Sequence, residues 1–270
     1  MWSDNFLWAY NSLENERRRL LTILSPVNYQ AKQNALRALR CEGTAEWIFC
    51  HPSFTAWRKS PQNQGLCCRG IPGSGKTILA SSITDSLLNA SKKSAPICLY
   101  HYCDYAVVDT LLPVHIIGSL LKQRIVQGIE PTLEDAVARV CDNGYDGQDV
   151  HGLSLFLREA VESPVPTYII IDGLDECARE DARSLLALLE SVMATSKTSV
   201  KVLVTCRDED ETVGLISHFP QICLSESVLA ADLACFVDQT VKASIEEGKL
   251  RRKSMQHEII SQLTSKAHGM

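Results

Sequence analysis

The eight residues Gly70-Ile71-Pro72-Gly73-Ser74-Gly75-Lys76-Thr77 constrain this chain more than any other feature. They fill the pattern G-x-x-x-x-G-K-[ST] at every required position. A loop that wraps a row of phosphates must turn its backbone N–H groups inward, and glycine permits both the dihedrals and the close approach. Lys76 would carry positive charge to the β- and γ-phosphates, and Thr77 would offer its hydroxyl to magnesium. A helix opening at Lys76 would point its positive end at the same anion. An apolar run, Leu66 to Ile71, precedes the loop, and a helical pattern from Thr77 to Leu88 follows it. A glycine-rich turn with an incidental lysine would need neither neighbour. Gly70 to Thr77, together with Ile78 in the first helical turn, is therefore the expected nucleotide-binding run, for ATP or GTP with magnesium.

Two further strands deliver polar groups at their C-terminal ends. Tyr168-Ile169-Ile170-Ile171 is apolar on both faces and ends in Asp172, the Walker B arrangement, which would hold magnesium beside Thr77. Asp175 and Glu176 follow, and one of them would orient or deprotonate an attacking water. The alternative for these two is to cap the next helix. Lys201-Val202-Leu203-Val204-Thr205-Cys206-Arg207 is the other strand. Arg207 would read the γ-phosphate, or else pair with the acidic run Asp208-Glu209-Asp210; the sensor role is the preferred reading.

Composition narrows the class. The 270 residues carry a net charge of −5, whereas nucleic-acid binders show a basic surplus, so no nucleic acid is expected as partner. The runs Arg17-Arg18-Arg19 and Arg251-Arg252-Lys253 read as solvated helix faces. No apolar core follows a basic start, and no stretch reaches the roughly 18 apolar residues that span a bilayer, so neither a secretory leader nor a membrane is expected. The 11 cysteines are scattered, with no C-x-x-C pair, which suits reduced thiols in a cytoplasmic protein. Cys67 and Cys68 are adjacent in a strand and would point to opposite faces; the same alternation turns His101 away from Cys98, against a metal site with Cys103.

Strands and helices alternate from residue 66 onward. After the first helix come a strand over Ile97 to Tyr102, a helix over Leu111 to Val126, and two helices within 132–162 broken by a turn at 142–147. A helix over Arg183 to Met193 follows, then a last strand, Ile222 to Leu224, and helices near 228–245 and 255–267. The first forty residues are helical, with Leu13, Leu20, Leu21 and Leu24 at helical spacing and a second piece over Tyr29 to Leu39. An aromatic segment (Trp47, Phe49, Phe54, Trp57) would pack on the domain after it. The expected fold is α/β: a three-layer P-loop NTPase with a five-stranded, mainly parallel sheet, the loop's strand near its centre, a helical N-terminal extension and a partial C-terminal helical lid. Its parts are a helical segment over 1–42, the NTPase core over 43–226 and the start of a lid over 227–270.

Taken together these residues resemble the NACHT group of STAND-class P-loop NTPases. Asp172-Gly173-Leu174-Asp175-Glu176 is similar to the NACHT form of Walker B, and Thr205-Cys206-Arg207 to the class's sensor motif. Ser25-Pro26-Val27-Asn28-Tyr29, Gly43-Thr44-Ala45-Glu46-Trp47-Ile48, Tyr102-Cys103-Asp104-Tyr105 and Gly118-Ser119-Leu120-Leu121-Lys122 look closest to fungal NACHT proteins with a nephrocystin-like N-terminal module. The resemblance implies an intracellular signalling switch with slow or partner-dependent hydrolysis, partnered by other NACHT-type chains or by itself. The lid region reaches Met270 with no winged-helix domain or repeat array after it, so the resemblance also implies a fragment or a truncated core. Two other readings compete: a non-catalytic scaffold that retains the fold, and a P-loop small-molecule kinase, against which stands the absence of an arginine cluster between strands. No N-K-x-D guanine-reading motif follows the Walker B strand, which leans the base towards adenine.

Overall fold

The computed structural model describes residues 15, 18–19, 21–90, 95–128, 150–208, 212–247, 249 and 261–262. Its frame is a sheet of five strands in the order β2-β3-β4-β1-β5, each pair parallel. The strands are β1 Gln64–Arg69, β2 Ile97–Tyr102, β3 Thr167–Asp172, β4 Val200–Cys206 and β5 Gln221–Cys223. Every residue of β2, β3 and β4 is buried, as continuous apolar runs covered on both faces require. The loop's strand β1 lies one place from the central β4, with the short β5 outside it. It ends at Arg69 rather than Ile71, because Gly70 and Ile71 must leave the sheet to begin the wrapping loop.

Helices cover both faces. On one lie α1 Tyr29–Leu39, α2 Pro52–Lys59 and α3 Lys76–Leu88. They share a core with Leu66, Cys68, Tyr100 and Leu203. On the other lie α4 Pro113–Val126, α5 Val150–Ala160 and α6 Arg179–Thr195, around Cys67, Leu99, Ile169 and Val202. Cys67 and Cys68 thus enter opposite cores, as strand alternation dictates. The short α7 Thr212–Leu215 and the long α8 Glu226–Glu246 follow.

Element bounds follow local chemistry. α4 begins with Pro113 at its first position, after a 3₁₀ turn over Val108–Thr110, so it starts later than its apolar run. α6 starts four residues earlier than Arg183, with Glu180 and Asp181 in a first turn that favours acids. The strand expected at 222–224 is displaced by one residue, and the helix expected at 228–245 is α8. Residues 21–24 are helical; the rest of the leucine-spaced N-terminal run, the turn at 142–147 and most of 255–267 lie outside the described residues.

The aromatic segment fastens α2 to the sheet. Phe49, Phe54, Trp57 and Tyr168 form a chain of ring contacts with centroids 5.8, 5.4 and 5.4 Å apart. Trp57 donates its indole N–H to the Gln64 carbonyl at 3.0 Å. α1 is tied to α3 through buried Asp85, which accepts from Gln33 at 2.7 Å and Arg37 at 2.5 Å and lies 3.2 Å from Arg40. Segment 24–25 docks on α4 where Gly118 leaves room: a Cβ there would lie 1.7 Å from the Leu24 carbonyl oxygen. Ser25 donates to the His115 carbonyl at 3.0 Å beside it.

Candidate functional site

The loop between β1 and α3 is built by two residues in the left-handed region, Gly73 at φ +80° and Gly75 at φ +83°. Any residue with a Cβ would be strained there. Gly70 answers a different need: a Cβ would meet Ser74 Oγ at 2.7 Å and Leu224 Cβ at 3.0 Å. The first backward helical bond is Leu79 N–H to Gly75 O at 2.9 Å, so the N–H groups of Lys76, Thr77 and Ile78 have no acceptor within the helix. Lys76 folds back over the loop and donates to the carbonyls of Gly70 at 2.7 Å and Ile71 at 2.8 Å. Desolvation holds its pKa below the usual lysine value, against the pull of Asp175 and Asp172.

Asp172 ends β3 almost completely buried, and its Oδ1 accepts the Thr205 hydroxyl at 2.6 Å. The Thr77 hydroxyl lies near the same carboxyl and favours its charged form. Burial pushes Asp172 up to about 6, outweighing both hydroxyls and the nearby Lys76 charge. Thr205 Oγ1 also accepts the N–H of Gly173 at 2.9 Å, so one hydroxyl ties the ends of β3 and β4 together. Gly173 takes φ +71°, and its position lies against the Cys103 carbonyl, 3.2 Å from where a Cβ would sit. That geometry turns the chain into a 3₁₀ turn over Leu174–Glu176 and sends Asp175 and Glu176 in different directions.

Asp175 is occupied by Arg207. Its Oδ2 lies 3.0 Å from Arg207 Nε, and its Oδ1 accepts the Arg207 backbone N–H at 3.1 Å. Within the acidic run Asp208 pairs instead with Arg69 at 2.9 Å, and Glu209 and Asp210 lie outside the described residues. Glu176 Oε2 accepts the Tyr105 N–H at 2.6 Å, and burial raises its pKa above the usual carboxylate range. Lys76, Thr77, Asp172, Asp175, Glu176 and Arg207 thus share the C-terminal edge of β1, β3 and β4.

The donor set suits magnesium. A buried carboxylate and a hydroxyl supply hard oxygens, and a carboxyl that burial pushes towards neutrality is one that a cation would recharge. Thr77 and Asp172 are the residues that would hold it. Among the described residues no group of three or more His, Cys, Asp or Glu side chains forms a closed metal cage. His101 faces the opposite side of β2 from Cys98 and donates Nε2–H to the Thr110 carbonyl at 2.8 Å.

Beside the loop opens a cavity of about 270 Å³, which sequence reasoning did not foresee. Gly73, Gly75, Ile78 and Leu79 form one wall, residues 39–47 a second, and Leu229, Asp232, Leu233 and Phe236 of α8 a third. Asp232 joins the last two: its Oδ2 accepts the Ala45 N–H at 2.8 Å and the Trp47 indole N–H at 3.1 Å. Ala45 takes φ +62°, alone among described non-glycine residues in that region. Gln239 adds a hydrogen bond to the Glu42 carbonyl at 2.7 Å. The one available signal was Asp232 itself, a lone acid within the apolar run from Val228 to Val237.

A parallel sheet with this loop, a strand-end acid and a base-sized cavity define a nucleotide-binding P-loop NTPase module. The sequence model of the family described as Nephrocystin 3, N-terminal matches residues 43–207, more than half of the chain. The chain belongs to that family and is a NACHT-type, nephrocystin-like protein. It is 30% identical over 173 residues to the vegetative incompatibility protein HET-E-1 of Podospora anserina, an alignment covering 60% of this chain and 12% of that protein. Among solved structures it is similar to the ORC2 protein of Aeropyrum pernix (13% identity, TM-score 0.49, 83% of this chain and 66% of the other). Domain III of DnaA from Thermotoga maritima is similar at 13% identity and a TM-score of 0.40, over 84% and 82% of the two chains. Among the described residues no helix is long and apolar enough to cross a membrane.

Proposed function

We propose that this chain is the nucleotide- and magnesium-binding switch module of a NACHT/STAND-type signalling protein that acts inside the cell, with ATP as its nucleotide and slow or partner-dependent hydrolysis. The observation that carries the reading is the convergence of Lys76, Thr77, Asp172 and Arg207 on one sheet edge beside an apolar cavity of base size.

The loop's free N–H groups and Lys76 take the phosphates, with Lys76 exchanging the carbonyls of Gly70 and Ile71 for phosphate oxygens. Magnesium would supply positive charge that offsets the charge of the phosphates. Thr77 and Asp172 would hold that ion, and Thr205 keeps Asp172 in place. Glu176 is the better placed of the two acids to orient water, since both oxygens of Asp175 are engaged by Arg207. Arg207 is stored on Asp175 until a γ-phosphate draws it away. A sensor that must first leave an ion pair, and a lysine that must first leave two carbonyls, support a switch more than a fast enzyme. The name of the Podospora relative, a vegetative incompatibility protein, supports a role in an incompatibility response, and other NACHT-type chains are the partners we propose for it.

Titration of the purified chain with fluorescent ATP and magnesium, beside Lys76→Ala, tests the reading. Micromolar binding, worth about 8 kcal/mol, is expected in the wild type and its loss in the variant. Equal binding by both, or by neither, refutes it.

A further inference from the structure

We propose that Asp232 reads the base of the bound nucleotide and selects adenine over guanine. The inference rests on the reading that the cavity beside the loop receives the base. Asp232 is the single acid among the described residues that line this cavity. Its Oδ2 is already committed to two donors, the Ala45 N–H and the Trp47 indole N–H. Its Oδ1 accepts no hydrogen bond from any described residue. A carboxylate has no proton to donate, so this free oxygen can be satisfied only by a donor.

The 6-amino group of adenine is such a donor. Guanine puts a carbonyl oxygen at that position, and two acceptors would then face each other. Guanine can also turn to offer its N1–H and 2-amino group, but its carbonyl must then find a donor elsewhere in the wall. Three of the wall's side-chain donors are already engaged. Trp47 is bound to Asp232 itself, the Thr44 hydroxyl donates to the Cys41 carbonyl at 2.7 Å, and Arg40 is held 3.2 Å from Asp85. Apart from the Ser74 hydroxyl, which lies in the phosphate loop against Gly70, the remaining side chains of the wall are those of leucine, isoleucine, phenylalanine, alanine and Cys41. A buried carbonyl left without a partner there costs more than the hydrogen bond it replaces. Adenine, with fewer polar groups on that edge, fits the apolar wall at lower cost.

Asp232→Asn isolates the effect. Ala45 and Trp47 both donate, so the new amide must place its oxygen where Oδ2 stood and its NH₂ where Oδ1 stood. The clasp between α8 and residues 45–47 survives, while the free acceptor becomes a donor. Competition against fluorescent ATP with magnesium is measured for ATP, GTP and inorganic tripolyphosphate, together with a thermal melt. In the wild type, ATP is expected to compete at least about ten-fold better than GTP. In the variant, ATP weakens about ten-fold while GTP holds or tightens, and tripolyphosphate and the melting temperature do not move. Equal affinity for ATP and GTP in the wild type overturns the proposal. So does a variant in which ATP, GTP and tripolyphosphate weaken together. If the wild type binds no nucleotide, or binds it without need of Lys76, the nucleotide reading itself fails and takes this inference with it. Nucleotide binding that depends on Lys76 but ignores Asp232 sinks the base-reading role alone.

Discussion

Acid is expected to destabilise this protein through one buried imidazole, His101 on β2. The ring is wholly shielded from solvent, its Nε2–H is spent on the Thr110 carbonyl at 2.8 Å, and Nδ1 has no partner among the described residues. Burial lowers its pKa to about 4, and the hydrogen bond to Thr110 only partly opposes that. In the unfolded chain the imidazole keeps its usual value near 6.5. Between these two values the unfolded state binds the proton and the folded state does not. Stability is therefore full above about pH 6.5 and declines as the pH falls towards 4. The gap of about 2.5 pKa units is worth about 3 kcal/mol at ~1.4 kcal/mol per unit. Asp172, raised to about 6, works in the opposite sense, because its folded state gains the proton first as the pH falls. The raw profile of the wild type is thus flatter than His101 alone would make it. Comparison with His101→Gln removes the overlap, since Asp172 is common to both chains and the neutral amide can still donate to Thr110. Urea unfolding at about pH 7.5 and about pH 4.5 is expected to narrow the stability gap between the two proteins by about 2.5 kcal/mol. Parallel pH profiles for the two chains refute the argument. Thr110 Oγ1 accepts the Asp104 N–H at 2.9 Å, one residue before the Tyr105 N–H that holds Glu176, so the buried imidazole lies behind the loop on which Glu176 rests.

Two further predictions test the ties around the site. Thr205→Val removes the hydroxyl that bridges Asp172 and Gly173, and is expected to cost about 3 kcal/mol in denaturant unfolding and about ten-fold in magnesium-nucleotide affinity, with Thr205→Ser recovering most of both; a valine variant as stable as wild type would mean the bridge is not formed. Gly118→Ala puts a methyl 1.7 Å from the Leu24 carbonyl oxygen, so it is expected to destabilise by about 2 kcal/mol despite alanine's better helix propensity. A variant stabilised by about 1 kcal/mol, as at an exposed helical glycine, would show that segment 24–25 does not dock on α4.

The loop from Gly70 to Thr77 was legible because its requirements are local. Left-handed glycines at 73 and 75, a lysine at the helix start and a hydroxyl after it depend on neighbours in the chain, not on the fold. The buried strands were legible for the same kind of reason, since a run apolar on both faces can only lie inside a covered sheet. Asp172 at the end of one such run follows at once. What no local pattern could decide was the order of the strands and therefore who meets whom. Because β3 and β4 are neighbours, Thr205 reaches Asp172, and Arg207 reaches Asp175 rather than Asp208 beside it in sequence. Arg69, from β1 on the other side of β4, takes Asp208. The cavity is the extreme case: its walls come from residues 39–47, 73–79 and 224–236, which share no periodicity or motif. Asp232 meets Ala45 and Trp47 across more than 180 positions of chain. Hydrogen bonds and close packing act over a few ångströms of space, and only the folded sheet and its helices bring such distant segments within that reach.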